Sequence, residues 1–258
     1  MTISAIVIAD TISPAGKRIT TLQLRYPRMV HSEFMTHRVF SRNASSSRAI
    51  PVERLIEDVL RDTAMPIHWG KNQPGMQARK KHDAPVLLDG TFVSNENAWL
   101  AARDQAIEAA RAFTKAGYHK QIVNRLLEPF AHINVVVTAT EWDNFFALRI
   151  HEDAQPEIFT LAAEMKLAMD NSRPEQRYWH MPYADKETDP KISAARCARV
   201  SYLTHEGKVP DREADLTLAG ELLADRHLSP FEHQAHWFPS ADYASGNFRG
   251  WQQYRQIL

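Results

Sequence analysis

Two periods of apolar residues alternate along this chain, and the switches between them mark its elements. Residues 4 to 10 (SAIVIAD) and 18 to 27 (RITTLQLRYP) are short runs rich in strand-forming residues, separated by SPAG. That turn signal predicts a β-hairpin or two sheet strands. Past residue 50 the period lengthens: Val52, Leu55, Ile56, Val59 and Leu60 recur at helical spacing behind Pro51, which suits a first helical turn. A helix is expected from about Asn95 to Thr114, and YHKQIVNRLLEPF should stay helical until Pro129. INVVVTAT, with its β-branched run, predicts a buried strand. Thr140 and Asp143 have capping-box spacing, so a helix is expected to start there and to stop or kink at Pro156. Ile158, Leu161, Ala162 and Met165 then form the apolar face of another helix.

Two stretches have neither period. Residues 64 to 95 are irregular and long for a structureless loop, which favours a lid or an oligomer contact. Residues 173 to 192 carry prolines among polar side chains and read as a linker. Beyond it lie AARCARVSY, an amphipathic helix around Leu216 to Ala224, and an aromatic tail, with no internal repeat. The expected class is α+β, an antiparallel sheet flanked by helices, with residues 1 to 258 as a single domain.

Composition narrows the function. The 258 residues are 44% hydrophobic and 24% charged, which allows a substantial core, and 31 basic residues balance 31 acidic ones. Any positive field is therefore local to a site, and neither nucleic acid nor a membrane is an expected partner. The first apolar run is too short for a span and lacks a charged lead, so a cytoplasmic protein is expected. A single cysteine, Cys197, excludes an intrachain disulfide and a multi-cysteine zinc site, and it reads as a buried small residue rather than a nucleophile. Despite twelve histidines there is no HExxH or comparable pair, so no metal is expected.

Residues 34 to 51, FMTHRVFSRNASSSRAIP, hold three arginines, a histidine, an asparagine and four serines directly after an apolar segment. Guanidinium groups at that density point to an anionic ligand, and phosphate is the natural one.

With this loop stand RLLEP at 125 to 129, NFFALRIHEDAQPEI at 144 to 158, CARVSY at 197 to 202 and SPFEH at 229 to 233. Together the five blocks resemble the flavin-dependent thymidylate synthases, the ThyX family, whose signature is Arg-His-Arg, seven residues, then Ser, with an Arg two positions on. The last two blocks precede the arginine signature in that family and follow it here, the pattern of a circular permutation. Residues 173 to 192 would then connect the permuted parts. The resemblance implies a ThyX-like fold that transfers a one-carbon unit from methylenetetrahydrofolate to C5 of dUMP. FAD would be the cofactor, NADPH the reductant, and the assembly a homotetramer with shared sites. By the same resemblance His37, Arg38, Asn144, Ser201 and His233 would face the flavin or folate. Ser46, Arg48 and Arg125 would hold the nucleotide, with Arg48 on its phosphate. Arg149 would bind the uracil edge and stabilise the electron-rich ring, as a catalytic group.

Thr36, Ala44, Ser45 and Thr140 depart from the family's residues, and Asp153 stands where a histidine is common. A hydroxymethylated product is one alternative; a catalytically dead nucleotide- or RNA-binding protein is another. Arg149 also lies four residues before Asp153, a spacing that would give a helical ion pair.

Overall fold

The computed structural model describes residues 3–184, 189–200 and 211–258. Strands β1 (Ser4–Ile12) and β2 (Arg18–Pro27) pair antiparallel, with a bulge between Val7 and Ala9. Gly16, at φ 83°, closes the turn between them, a conformation in which a Cβ would be strained. Helix α1 (His31–Met35) leads to β3 (Ser41–Ala44), and α2 (Val52–Arg61) follows. A small hairpin of β4 (Val86–Leu88) and β5 (Thr91–Val93) precedes α3 (Asn95–Lys115) and the short α4 (Lys120–Val123). Strand β6 (His132–Ala139), α5 (Asp143–Arg149) and α6 (Pro156–Asp170) come next. Strands β7 (Glu175–Gln176) and β8 (Trp179–His180) lie within the proline-rich stretch. The rest comprises α7 (Pro190–Arg199), α8 (Arg212–Ala224), β9 (Ala235–Trp237), β10 (Ala244–Ser245), β11 (Phe248–Arg249) and β12 (Trp251–Gln253).

The class is α+β. The main sheet runs β3-β6-β2-β1-β7, antiparallel except where β7 joins β1 in parallel, and a second sheet runs β12-β9-β8. Side chains alternate across the main sheet, as strand geometry demands. Leu22, Leu24, Val135 and Val137 share one fully buried apolar cluster with Phe34, Phe145, Ile158 and Leu161 from α1, α5 and α6. Val136, on the opposite parity, packs instead with Cys197 of α7 and with Val200. Both faces of the sheet are thus covered, the second by residues late in the chain.

Helices α7 and α8 are clamped by a buried carboxylate. Asp215, fully buried, accepts from Arg196 Nε at 2.8 Å and Arg199 Nε at 2.9 Å. Asn43 of β3 ties this layer to the sheet, donating from Nδ2 to Cys197 O at 2.9 Å.

Several elements differ from the expectations. Leu60 is exposed, so the apolar face of α2 is carried by Leu55, Ile56 and Val59. The helix expected up to Pro129 ends at Val123 and continues as 3-10 turns, Asn124–Leu126 and Glu128–Phe130. Asn124 there turns inward to donate to Ser47 O and Ile50 O, and Pro129 has no N–H for an α-helical bond. Thr140 does not cap α5: the helix starts after Trp142 with no side-chain cap, because the Thr140 hydroxyl accepts from Arg249 N at 3.1 Å. Nor does that helix reach Pro156. It ends at Arg149, Ile150 leaves the helical region, and Pro156 opens α6, where its missing N–H costs nothing.

Candidate active site

The loop carrying the arginine and serine residues splits into two neighbourhoods. At its start, α1 and β3 hold His37 between the rings of Phe40 and Phe145, with ring centroids 5.9 Å and 4.8 Å away. Arg149, at the last turn of α5, donates from Nε to His37 Nε2 at 2.9 Å and from Nη2 to Thr36 Oγ1 at 3.2 Å. Burial, then the Arg149 and Arg42 guanidiniums, lower the His37 pKa to about 4. The ring is therefore neutral near pH 7, and since Nε2 accepts, its proton sits on Nδ1. Arg149 has no ion pair with Asp153. Because α5 stops at Arg149 the helical register to Asp153 is lost, and Asp153 pairs with Arg79 at 2.5 Å instead. Thr36, in place of an arginine, accepts from Arg149 and donates to Glu33 O at 2.7 Å.

At the loop's other end Ser46 and Arg48 line a cleft of about 440 Å³. Its walls come from β3 and the 3-10 turn Ser47–Ala49, from His119 and Gln121 around α4, and from Ala198, Leu222, His227 and Pro230 late in the chain. The loop wall is pinned from behind by the Asn124 bonds and by Lys120 Nζ, which donates to Ala49 O at 3.0 Å. Arg48 is exposed and makes no hydrogen bond or ion pair among the described residues. No acidic residue lines the cleft among the described residues. The cleft thus brings one guanidinium and a serine hydroxyl from the loop together with two imidazoles from other elements, groups whose chemistry suits an anion.

The other expected residues lie elsewhere. Arg125 is exposed and paired with Glu128 at 2.9 Å; the same carboxylate accepts from Ser47 Oγ at 2.6 Å and pairs with Arg28 at 3.1 Å. Arg38 and Asn144 are exposed, and neither side chain is engaged among the described residues. Ser201 lies outside the described residues.

His233 is fully buried at the end of a polar chain between the sheet and the late segments. His180 contacts Thr11 Oγ1 at 2.8 Å and Thr21 Oγ1 at 2.7 Å; Thr21 contacts Thr138 at 2.6 Å, and Thr138 contacts His233 Nδ1 at 2.9 Å. Burial is the main cause lowering both histidines to about 3, so both are neutral. His233 Nε2 is buried without a partner among the described residues. Cys197 is also fully buried, and burial pushes its thiol well above the ordinary range.

His119 and His227 were missed by sequence reasoning. His119 stands two residues after Gly117, the glycine stop of α3, a readable signal, whereas His227 carries none.

Fold and cleft together define an α+β protein with a cleft lined by Ser46 and Arg48 and walled by both early and late parts of the chain. Residues 3–175, the greater part of the sequence, match the family described as thymidylate synthase complementing protein (Thy1), and the chain belongs to that family. Among solved structures it is similar to a UMP/dUMP methylase PolB from Streptomyces cacaoi, determined with 5-Br dUMP bound. The two are 16% identical with a TM-score of 0.47, over 65% of this chain and 90% of that chain. No curated protein matches the sequence.

Proposed function

We propose that this protein transfers a one-carbon unit from methylenetetrahydrofolate to C5 of dUMP, forming dTMP, as a flavin-dependent enzyme. The observation that carries this reading is the cleft lined by Ser46 and Arg48, the two signature residues that a nucleotide phosphate would need, with no acid among its described lining residues. Arg48 forks onto the phosphate oxygens and Ser46 donates its hydroxyl beside it.

The donor set also fits FAD. Arg38 and Asn144 present unengaged donors to solvent, suited to a cofactor rich in phosphate and carbonyl acceptors. His37, buried, acts as a support behind that surface, and His233, buried on the other face of the sheet, would serve the flavin or folate from the late segments. FAD, when bound, supplies the reducing equivalents, and NADPH restores them.

Arg149 meets the uracil edge and stabilises negative charge developing on the ring while His37, held neutral, fixes its orientation. Arg149 does not line the Ser46 and Arg48 cleft, so the site we propose is shared between copies of a homotetramer. Arg125 steadies the Glu128 carboxylate under the nucleotide loop. The late segments with His233 and, by the resemblance, Ser201 belong to the same ThyX-like domain in permuted order. A cysteine route to dTMP, by thiolate addition to C6, is disfavoured because the one cysteine is buried and held as a thiol.

The experiment is an absorbance spectrum of the purified protein, followed by mass spectrometry of the product from dUMP, methylenetetrahydrofolate and NADPH. A flavin spectrum and dTMP are expected. A 5-hydroxymethyl nucleotide would redirect the final step, and a colourless protein that leaves dUMP unchanged would sink the reading.

A further inference from the structure

The cleft contains two side chains that the family signature does not include, and the backbone delivers each of them through a defined turn. Helix α3 ends in a Schellman turn: Gly117, at φ 86°, donates to Thr114 O at 3.0 Å, and Tyr118 donates to Phe113 O at 3.1 Å. His119 comes next and its ring accepts from Gln121 N at 3.3 Å through Nδ1. With Nδ1 accepting, a neutral His119 carries its proton on Nε2, so the ring retains a donor for a ligand.

Helix α8 ends in the same way but with a different residue at the turn. Arg226 donates to Leu223 O at 3.1 Å and His227 to Leu222 O at 2.8 Å, the two bonds of a Schellman turn. The left-handed position, φ 53°, is held by Arg226 rather than by glycine. A side chain there is disfavoured, and the turn places His227 on the wall of the cleft that Arg48 also lines. His227 lies after the span matched to the family, which ends at residue 175.

We propose that His119 and His227 are phosphate ligands, completing with Ser46 and Arg48 a site for the phosphomonoester of a nucleoside monophosphate. This rests on the reading of the cleft as the nucleotide site. The four side chains supply a guanidinium, a hydroxyl and two imidazole donors from three separate parts of the chain, with no carboxylate among the described lining residues to compete for them. A phosphomonoester dianion can use that many donors, whereas a free nucleoside cannot. His227 makes the late segments contributors to recognition as well as to packing.

The test is calorimetric titration of the FAD-supplied full chain with dUMP and with deoxyuridine, in wild type, His119→Ala, His227→Ala, His227→Asn and Arg48→Gln. Both histidines are exposed, so the variants should fold, and unchanged thermal melting checks that. Each alanine variant is expected to weaken dUMP binding roughly tenfold, the scale of one hydrogen bond to a charged group, and to leave deoxyuridine binding unchanged. Asparagine at 227 should recover part of the loss. Wild-type dUMP affinity in both alanine variants, beside a weakened Arg48→Gln, would overturn the histidine assignment and leave the cleft reading standing. Equal losses for dUMP and deoxyuridine would overturn the phosphate assignment. A wild-type protein that binds no dUMP would overturn the cleft reading and this inference together.

Discussion

The two faces of the main sheet are both covered, but only one of them adds a buried polar chain to its apolar contacts. Against α5 and α6 the contacts are aliphatic and aromatic, Leu22, Leu24 and Val137 meeting Phe145, Ile158 and Leu161. On the other face Thr21 and Thr138 meet His180 and His233, and the late segments dock through hydrogen bonds between fully buried partners. Hydrophobic packing tolerates adjustment, since its strength follows area and volume. A buried polar chain tolerates little, because each lost partner leaves a desolvated group. The polar face therefore fixes where the late segments sit, which a cleft built from both parts of the chain requires.

Four experiments would break or sharpen this contrast. Leu161→Ala empties part of the apolar face and should cost about 2 to 5 kcal/mol, read by urea unfolding, with no change in the pH dependence of stability. A loss that varied with pH would show that the two faces are coupled.

Acid should act on the polar face. His180 and His233 are held to about 3 in the folded state against 6.5 ordinarily, so below pH 6.5 the unfolded chain takes up protons that the folded chain refuses. Their stabilisation is complete above pH 6.5 and falls as pH drops toward 3, by up to about 1.4 kcal/mol per pH unit for each ring. His31, His37 and His132, all lowered to about 4, add in the same direction, so the comparison is with His233→Gln. Its slope between pH 6 and pH 4 should be shallower by one ring's share, and an identical slope would remove His233 from the account.

Thr138→Val keeps the shape and deletes the hydroxyl shared by Thr21 and His233, which should cost about 1 to 3 kcal/mol. A neutral result would mean that the chain is packing rather than hydrogen bonding. The smallest effect belongs to the turn after α8. Arg226→Gly relieves the left-handed side chain and should stabilise by up to about 1 kcal/mol, while the dUMP binding proposed for His227 should be unchanged. Destabilisation would show that the Arg226 side chain has a role of its own.

Much of this architecture was legible as period and punctuation. The hairpin of β1 and β2, the helices α2, α3 and α6, and the strand β6 follow from apolar spacing, proline and glycine, because those signals act over a few residues. The loop with Ser46 and Arg48 was legible too, since its density of guanidinium and hydroxyl groups has few other uses. Thr140 was misread as a cap because its partner, the Arg249 amide, is over a hundred residues away. Arg149 was weighed against Asp153 because both lie close in sequence, yet its partner His37 comes from another element entirely.

The sequence by itself determined the local elements, the family signature and the presence of a loop dense in guanidinium and hydroxyl groups, all of which depend on neighbours along the chain. Only the tertiary structure decided which histidines are buried and neutral, which face the cleft, and that Arg226 occupies a turn where glycine would have been the readable sign. Burial, desolvation and partner choice are set by contacts between residues far apart in sequence, and no local pattern encodes them.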